Sequence, residues 1–318
     1  MNYGTLRCSA PRFLVVVVTM TLSLKATAPS PAQGVTVGML VTASSVGDDA
    51  LPELKMHDVQ VSQGHQPVQV TGWTAARGNR AGLNLFLLID DAADRSLGSQ
   101  LNELRNFITA QAPTTLVGVG YMRNATVLIA QDFTNDHAAA ANAVRLPEGS
   151  TGAFGSPYPS VIDMMSRWPK HPNRRVIVMV TDGIDRSRGG PRSRRLSSMP
   201  DVTRASDVAQ RTGTLIYTLF FPGVGHRRRN LWEATNGQNG IARLSDESGA
   251  ESFFLGVQAP VSFQPFLDRI QTGLNNQYLL EFRVVPRGHA GLQSISVGTE
   301  VPGVELISAD GVWVPAAQ

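Results

Sequence analysis

Cysteine is almost absent from this chain, since its 318 residues include only Cys8. That scarcity excludes a framework of internal disulfides and any cysteine-rich zinc site. Charged residues make up 17% of the chain and apolar residues 42%, which excludes both a disordered tail and an integral membrane protein. The length allows one large domain or two small ones, with a substantial core in either case.

The first apolar run, Phe13–Leu24, is too short to cross a bilayer as a helix, which takes about 20 residues. Basic residues precede it and small residues follow it, as in a secretory signal peptide. We predict a signal peptide over residues 1–32, cleaved after Ala32, with cleavage after Ala28 or an uncleaved membrane anchor as alternatives. The predicted location is therefore secreted or periplasmic, without stable membrane insertion after cleavage.

The net charge of +3 belongs to this segment, because residues 1–32 carry three basic side chains and no acidic one. Cleavage changes the 28 basic and 25 acidic side chains to 25 of each, and it also removes Cys8. A neutral mature chain has no general attraction to polyanions. The arginine-rich stretch Arg186–Arg195 lacks an accompanying aromatic-rich strand or helix-turn-helix, so we expect no nucleic-acid partner.

Strands and helices alternate through the middle of the chain. The runs Leu85–Ile89, Val176–Val180 and Thr214–Phe221 are almost wholly apolar, as expected for strands buried on both faces of a parallel sheet. Segments with helical spacing of apolar residues lie between them. The pattern predicts an α/β fold, a doubly wound and mostly parallel sheet, over residues 80–275.

The two ends of the chain differ from the middle in their hydrophobic pattern. Residues 33–79 and 276–318 contain short alternating apolar runs without intervening helices, which is typical of β structure. We therefore expect β segments at both ends of the α/β domain, and these segments are candidates to pair into one small sheet or sandwich.

Acidic residues follow two of the buried strands. The first strand runs into Asp90-Asp91-Ala92-Ala93-Asp94, and a later strand runs into Thr181-Asp182-Gly183. Ligands of parallel α/β sheets gather outside the carboxyl ends of the strands. Carboxylates brought together there repel one another, and a hard divalent cation relieves that repulsion. The alternative is that each acid caps the loop or helix that follows it.

These residues resemble a von Willebrand factor type A domain. The family has a mostly parallel sheet with one antiparallel edge strand, and a metal-ion-dependent adhesion site at its carboxyl edge. In the family's Asp-x-Ser-x-Ser motif, Asp90 matches the Asp, Ala92 replaces the first Ser and Asp94 replaces the second. Asp182 matches the later Asp, and either Thr151 or Ser156 matches the Thr of an intervening loop.

The resemblance implies a degenerate metal site. Its ligands would be Asp90, Asp94 and Asp182 with a hydroxyl from Thr151 or Ser156, and its ion would be Mg²⁺ or Ca²⁺. The loss of a hydroxyl at position 92 removes one ligand, and Asp94 adds negative charge, which weakens attraction for an acidic group of a partner. The resemblance also implies an interaction or adhesion protein with a protein partner.

Motifs of the common enzymes are missing from the sequence. The six histidines show no His-x-x-x-His spacing, and no Gly-x-Ser-x-Gly or phosphate-binding Gly-x-x-x-x-Gly-Lys-Ser/Thr motif occurs. We therefore predict that the protein is not an enzyme. The alternatives are a metal-free structural module of the cell envelope and a hydrolase with an unrecognised site.

Overall fold

The structure, a computed structural model, describes residues 34–47, 50–148, 156–185, 200–223, 231–254, 256, 258–286 and 288–316. Within those ranges no helix combines the length and apolar character needed to cross a bilayer. The predicted signal peptide and the arginine-rich stretch lie outside the described residues.

Fourteen strands and six α-helices are described. The strands are β1 (Val35–Ser45), β2 (Val59–Gln63), β3 (Gln66–Pro67), β4 (Val70–Ala75), β5 (Leu83–Asp90), β6 (Thr115–Arg123), β7 (Thr126–Thr134), β8 (Arg174–Thr181), β9 (Thr214–Phe220), β10 (Ser252–Phe253), β11 (Gln277–Val284), β12 (Gly291–Thr299), β13 (Val304–Ser308) and β14 (Gly311–Val314). The helices are α1 (Leu101–Thr109), α2 (His137–Asn142), α3 (Pro157–Ser166), α4 (Pro200–Thr212), α5 (Leu231–Ser248) and α6 (Gln264–Asn275).

The central sheet has six strands in the order β10-β9-β8-β5-β6-β7. All neighbouring pairs are parallel except β6 and β7, so β7 is an antiparallel edge strand. Every residue of β5 is buried, because its apolar side chains face helices on both sides of the sheet. The strands β5 and β8 are neighbours in register, and this pairing brings their acidic carboxyl ends to one edge.

Helices cover both faces of this sheet. On one face, α1, α2 and α6 contribute to a buried core, with Leu104 and Ile270 fully inaccessible. On the other face, α3, α4 and α5 enclose a second core around Val161 and Leu244. The predicted fold class, a doubly wound and mostly parallel α/β sheet with β segments at both ends, is confirmed.

The β segments of the two chain ends pair with each other. They form two four-stranded sheets, β13-β1-β11-β4 and β14-β12-β2-β3. Antiparallel pairing of β1 with β11 joins the ends of the chain, for example at Val37 and Phe282. Both sheets contribute to one apolar core, which includes Val61 and Ile295. The boundaries predicted near residues 80 and 275 stay a prediction.

Helix α5 differs from its predicted extent. Apolar spacing indicates a helix from Ile241, but α5 begins ten residues earlier, at Leu231. Gly237 and Gly240 lie in this first part, and glycine is unfavourable inside a helix by about 1 kcal/mol relative to alanine. The local sequence therefore gives little indication of the first turns of α5. Gly237 is explained by its close contact with the Asp182 carbonyl.

Candidate functional site

Asp90 lies at the carboxyl end of β5, and it is buried. Its Oδ2 accepts a hydrogen bond of 2.9 Å from the Thr181 hydroxyl at the end of β8. Its Oδ1 accepts one of 2.9 Å from the backbone N–H of Ala92. The neighbouring strand and the following loop thus fix this carboxylate in place. Both oxygens of Asp90 thus accept a hydrogen bond from the protein.

Asp182 occupies the next position at the same edge, directly after β8. Its Oδ1 accepts from the backbone N–H of Ile184 at 3.0 Å, and its Oδ2 from the N–H of Gly223 at 3.2 Å. Gly223 lies just beyond β9, and the adjacent Pro222 carbonyl accepts from the N–H of Asp94 at 2.9 Å. The loops after β5, β8 and β9 are therefore connected around the two acids.

Asp94 takes the capping role that the sequence left open as an alternative. It precedes a short 3-10 helix at Arg95–Ser99, and its Oδ1 accepts from the N–H of Ser96 at 2.9 Å. Its side chain is half-buried, unlike that of Asp90. The hydrogen bond to Ser96 thus fixes one oxygen of this carboxylate at the start of the 3-10 helix.

Ser156 begins helix α3, immediately before Pro157. It holds the N-cap position, but its hydroxyl makes no capping hydrogen bond. The side chain is completely buried, and its Oγ has no hydrogen-bond partner among the described residues. The other predicted loop ligand, Thr151, lies outside those residues.

Tyr158 connects the start of α3 to the Asp182 loop. Its hydroxyl donates a 3.0 Å hydrogen bond to the carbonyl of Gly183. Burial raises the pKa of Tyr158 above its ordinary value, so the phenol stays protonated and remains a donor at physiological pH. Because Ser156 is only two residues before Tyr158, this hydrogen bond keeps the start of α3 close to the loop of Asp182.

Two glycines allow α5 to touch the Asp182 loop. A Cβ on Gly237, in α5, would collide with the carbonyl oxygen of Asp182, and one on Gly183 would collide with the carbonyl of Gly237. Gly183 also has a φ of 72°, a conformation that side chains with a Cβ rarely adopt. Sequence reasoning gave Gly237 no role, although a glycine inside a helix is itself a signal of close approach.

Asp91 behaves differently from its neighbour Asp90. It is fully buried, and Arg145 donates to both of its oxygens, at 2.9 and 3.3 Å. The hydrogen bond to Asp91 raises the pKa of Arg145, and the guanidinium lies 3.8 Å from the ring centre of Tyr121. The charge of Asp91 is neutralised within the protein, so this carboxylate serves to anchor the segment that leads towards α3.

A divalent cation at this edge would need a mixed set of oxygen ligands. The described residues contain no group of three His, Cys, Asp or Glu side chains able to hold a metal. Mg²⁺ commonly takes one or two carboxylates and completes its shell with water. Asp90, Asp182 and the unpartnered hydroxyl of Ser156 suit that pattern, whereas Ala92 is buried and offers no side-chain oxygen.

Exposed apolar side chains lie around this edge. Phe254 follows the carboxyl end of β10, and Leu231 and Trp232 form the first turn of α5. Val261 lies near the start of α1, since its carbonyl accepts from the side chain of Gln100. The exposed fractions are 40% for Phe254, 71% for Leu231, 47% for Trp232 and 96% for Val261. We call these four residues the apolar rim.

The sheet order, its antiparallel edge strand and the helices on both faces define a von Willebrand factor type A-like fold. No protein-family model matches the chain, and no curated protein matches its sequence. The solved structures similar to it include an aerotolerance-related membrane protein from Bacteroides fragilis. That structure shares 12% identity and a TM-score of 0.42, over 61% of this chain and 99% of that one.

Two further solved structures carry the type A domain in their descriptions. The VWA domain of SpRpn10 shares 11% identity over 60% of this chain and 96% of its own, with a TM-score of 0.39. The ArnB paralog VWA2 from Sulfolobus acidocaldarius shares 8% identity over 88% of this chain and 76% of its own, also with a TM-score of 0.39. At such scores the similarity carries no information about ligands or partners.

Proposed function

We propose that this protein is a non-enzymatic, secreted or periplasmic binding protein that contacts a protein partner through the carboxyl edge of its central sheet. The observation that carries the proposal is the apolar rim, because four large apolar side chains are exposed there around buried acids. Interfaces commonly combine exposed apolar anchors with a few fixed polar groups. Nucleic acid is not the proposed partner, since the carboxylates of Asp90 and Asp182 lie at the same edge.

We further propose that a divalent cation, Mg²⁺ or Ca²⁺, takes part in this contact. Asp90 and Asp182 would ligate it together with the hydroxyl of Ser156 or Thr151, and Asp94 would complete the set. The support is the buried hydroxyl of Ser156, which has no partner among the described residues. Burying an unpartnered hydroxyl is unfavourable, and a metal ligand role would offset that cost. Three carboxylates outweigh the two positive charges of the ion, so an open coordination position would suit a carbonyl group of the partner better than an acidic one.

A metal-free structural module is the second candidate. Backbone N–H groups already donate to Asp90 and Asp182, and such donors stabilise a carboxylate without a cation. In that case the acids fix the loops in place, and the apolar rim alone provides the contact surface.

Calorimetric titration distinguishes the two candidates. The purified protein is titrated separately with Mg²⁺, Ca²⁺ and Mn²⁺, beside the variants Asp182→Asn and Asp207→Asn. Asp207 is an exposed acid in α4 and serves as the matched control. The cation proposal predicts saturable binding that Asp182→Asn weakens at least tenfold and Asp207→Asn leaves unchanged. Absence of heat and of thermal stabilisation with all three ions would favour the metal-free module.

Site-specific photo-crosslinking tests the contact surface itself. A photoreactive amino acid is placed at Val261 in the apolar rim, and in a control at Leu128, which is exposed on the edge strand β7. The proposal predicts a discrete crosslinked protein from position 261 in cells that produce the chain, and none from position 128. Equal crosslinking at both positions would contradict it. Turnover in a broad hydrolase screen would contradict the non-enzymatic part.

A further inference from the structure

A cleft lies at the end of the central sheet that is opposite the edge carrying Asp90 and Asp182. It has a volume of about 450 Å³ and is bounded by the start of β8, the end of α4 and strands of the flanking sheet. Three arginines line it, Arg80, Arg174 and Arg175, and none of its described lining residues is acidic. The apolar residues Leu40 and Leu279, register partners on β1 and β11, form another part of its wall.

Arg174 is held in place by neutral acceptors. Its Nη1 donates to the carbonyl of Leu274 at 3.0 Å and to Oε1 of Gln277 at 2.5 Å, and its Nη2 donates to the carbonyl of Ala81 at 2.8 Å. Its Nε is buried and has no hydrogen-bond partner among the described residues. The guanidinium is therefore fixed in position while its charge is not cancelled by a carboxylate.

Arg175 and Arg80 have even fewer contacts. Neither guanidinium makes a hydrogen bond or an ion pair with another residue that the structure describes. Burial lowers the pKa of Arg174 and of Arg175, and no described carboxylate opposes the effect. Arg80 is exposed and Arg175 is half-buried, so both guanidinium groups are accessible and neither has a described carboxylate that would compete with a bound anion.

Asn84 provides an independent sign of a missing acceptor. It is fully buried beside Arg175, its register partner on the neighbouring strand. Its Oδ1 accepts from Asn173, a lining residue of the cleft, at 2.8 Å. Its Nδ2 has no partner within the described part of the chain. This unpartnered amide donor therefore lies directly behind the cleft wall, one hydrogen bond from Asn173.

We infer that this cleft is a binding site for a small organic anion with a phosphate or carboxylate head group and an apolar body. Arg175 and Arg80 pair with the head group, because the planar guanidinium matches the oxygens of either group in a two-point hydrogen bond. The apolar body lies against Leu40 and Leu279. The inference is independent of the proposed contact at the carboxyl edge.

Titration of the purified protein with small anions tests the inference. Phenyl phosphate, benzoate and inorganic phosphate are the probes, and benzyl alcohol is the neutral control, all at constant ionic strength because exposed charges are screened by salt. We expect phenyl phosphate or benzoate to bind in a 1:1 ratio and more tightly than inorganic phosphate, while benzyl alcohol does not bind. Failure of all three anions to bind saturably at millimolar concentration would overturn the inference.

Variants locate the site. Arg175→Gln and Arg80→Gln are compared with Arg204→Gln, which removes an exposed arginine near the opposite end of α4. We expect Arg175→Gln to weaken anion binding at least tenfold and Arg204→Gln to change it less than twofold. Circular dichroism confirms folding, and Arg175→Gln should retain or raise the Tm without ligand. Equal binding by Arg175→Gln, or binding only to anionic phospholipid vesicles and not to the soluble probes, would overturn the assignment.

Discussion

Replacement of Ser156 by alanine gives a sharp test of the carboxyl edge. The Ser156 hydroxyl is buried and lacks a partner among the described residues. Burial of an unpartnered hydroxyl costs roughly 1–3 kcal/mol by mutational data. Ser156→Ala removes that cost and loses only small packing contacts, so we expect the variant to be more stable than wild type by about 1 kcal/mol in EDTA. For a domain of this size that corresponds to a rise in Tm of about 2 °C.

Addition of a divalent cation should erase this advantage. An ion at 100 times its dissociation constant stabilises the folded state by about 2.7 kcal/mol, and a tenfold weaker site gains only about 1.4 kcal/mol at the same concentration. Urea denaturation of both proteins, in EDTA and in saturating Mg²⁺ or Ca²⁺, measures the two differences. A variant that is less stable than wild type in EDTA would refute the reasoning about the hydroxyl. An advantage that persists unchanged with the ion would refute its role as a ligand.

Three further perturbations test other parts of the structure. Gly237→Ala should destabilise the protein by about 1–3 kcal/mol through overpacking against the Asp182 loop, whereas Gly298→Ala, which has open space around it, should be nearly neutral in the same denaturation assay. Arg145→Gln should cost about 2–3 kcal/mol, less than for a fully buried pair because Arg145 is partly exposed, and adding Asp91→Asn should recover part of that loss. Asp246→Asn should stabilise the protein at pH 7, because burial and neighbouring carboxylates raise the pKa of Asp246. In the wild type, the stabilisation from protonating Asp246 is present at low pH and is lost as pH rises through the raised pKa. The stability advantage of Asp246→Asn should therefore shrink as the pH falls. Urea denaturation of both proteins from pH 4 to 7 measures this change.

Local sequence patterns predict much of this fold because the central strands are unusual in composition. The almost wholly apolar runs of β5, β8 and β9 indicate strands buried on both faces. Parallel pairing of β5 with β8 then requires the acidic ends of these two strands to meet at one edge. The position of Asp90 and Asp182 at that edge follows from those two facts. Their ligation of a cation stays a prediction.

Other features depend on contacts between distant residues and leave no local signal. Asp91 pairs with Arg145, 54 residues further along the chain, and nothing in the acidic run after β5 distinguishes it from Asp90. The anion cleft likewise collects Arg80 and Arg175 from segments that are far apart in sequence. The start of α5 has little local signal because Gly237 lowers helix propensity, while the contact of this residue with the Asp182 loop requires glycine.

An acidic cleft lies beside α5, although the described residues contain no group of three acidic side chains able to hold a metal ion. Asp246, Glu251, Glu305 and Asp310 line this cleft, which has a volume of about 630 Å³. Arg269 also lines this cleft and forms an ion pair with Glu251 at 2.7 Å, so the attraction of a cation to this cleft would be general and electrostatic. The two locations are far enough apart in the fold for a local spectroscopic probe to separate them, since one lies at the carboxyl edge and the other against β12 and β13.

Paramagnetic broadening by Mn²⁺ tests the central claim most directly. Amide resonances of the isotope-labelled protein are recorded while Mn²⁺ is added in substoichiometric amounts. A cation site at the carboxyl edge predicts that the amides of Ala92, Gly183 and Gly223 broaden first, and that excess Mg²⁺ reverses the effect. Broadening that starts instead at Asp246 and Asp310, or that spreads evenly over the protein, would contradict the claim.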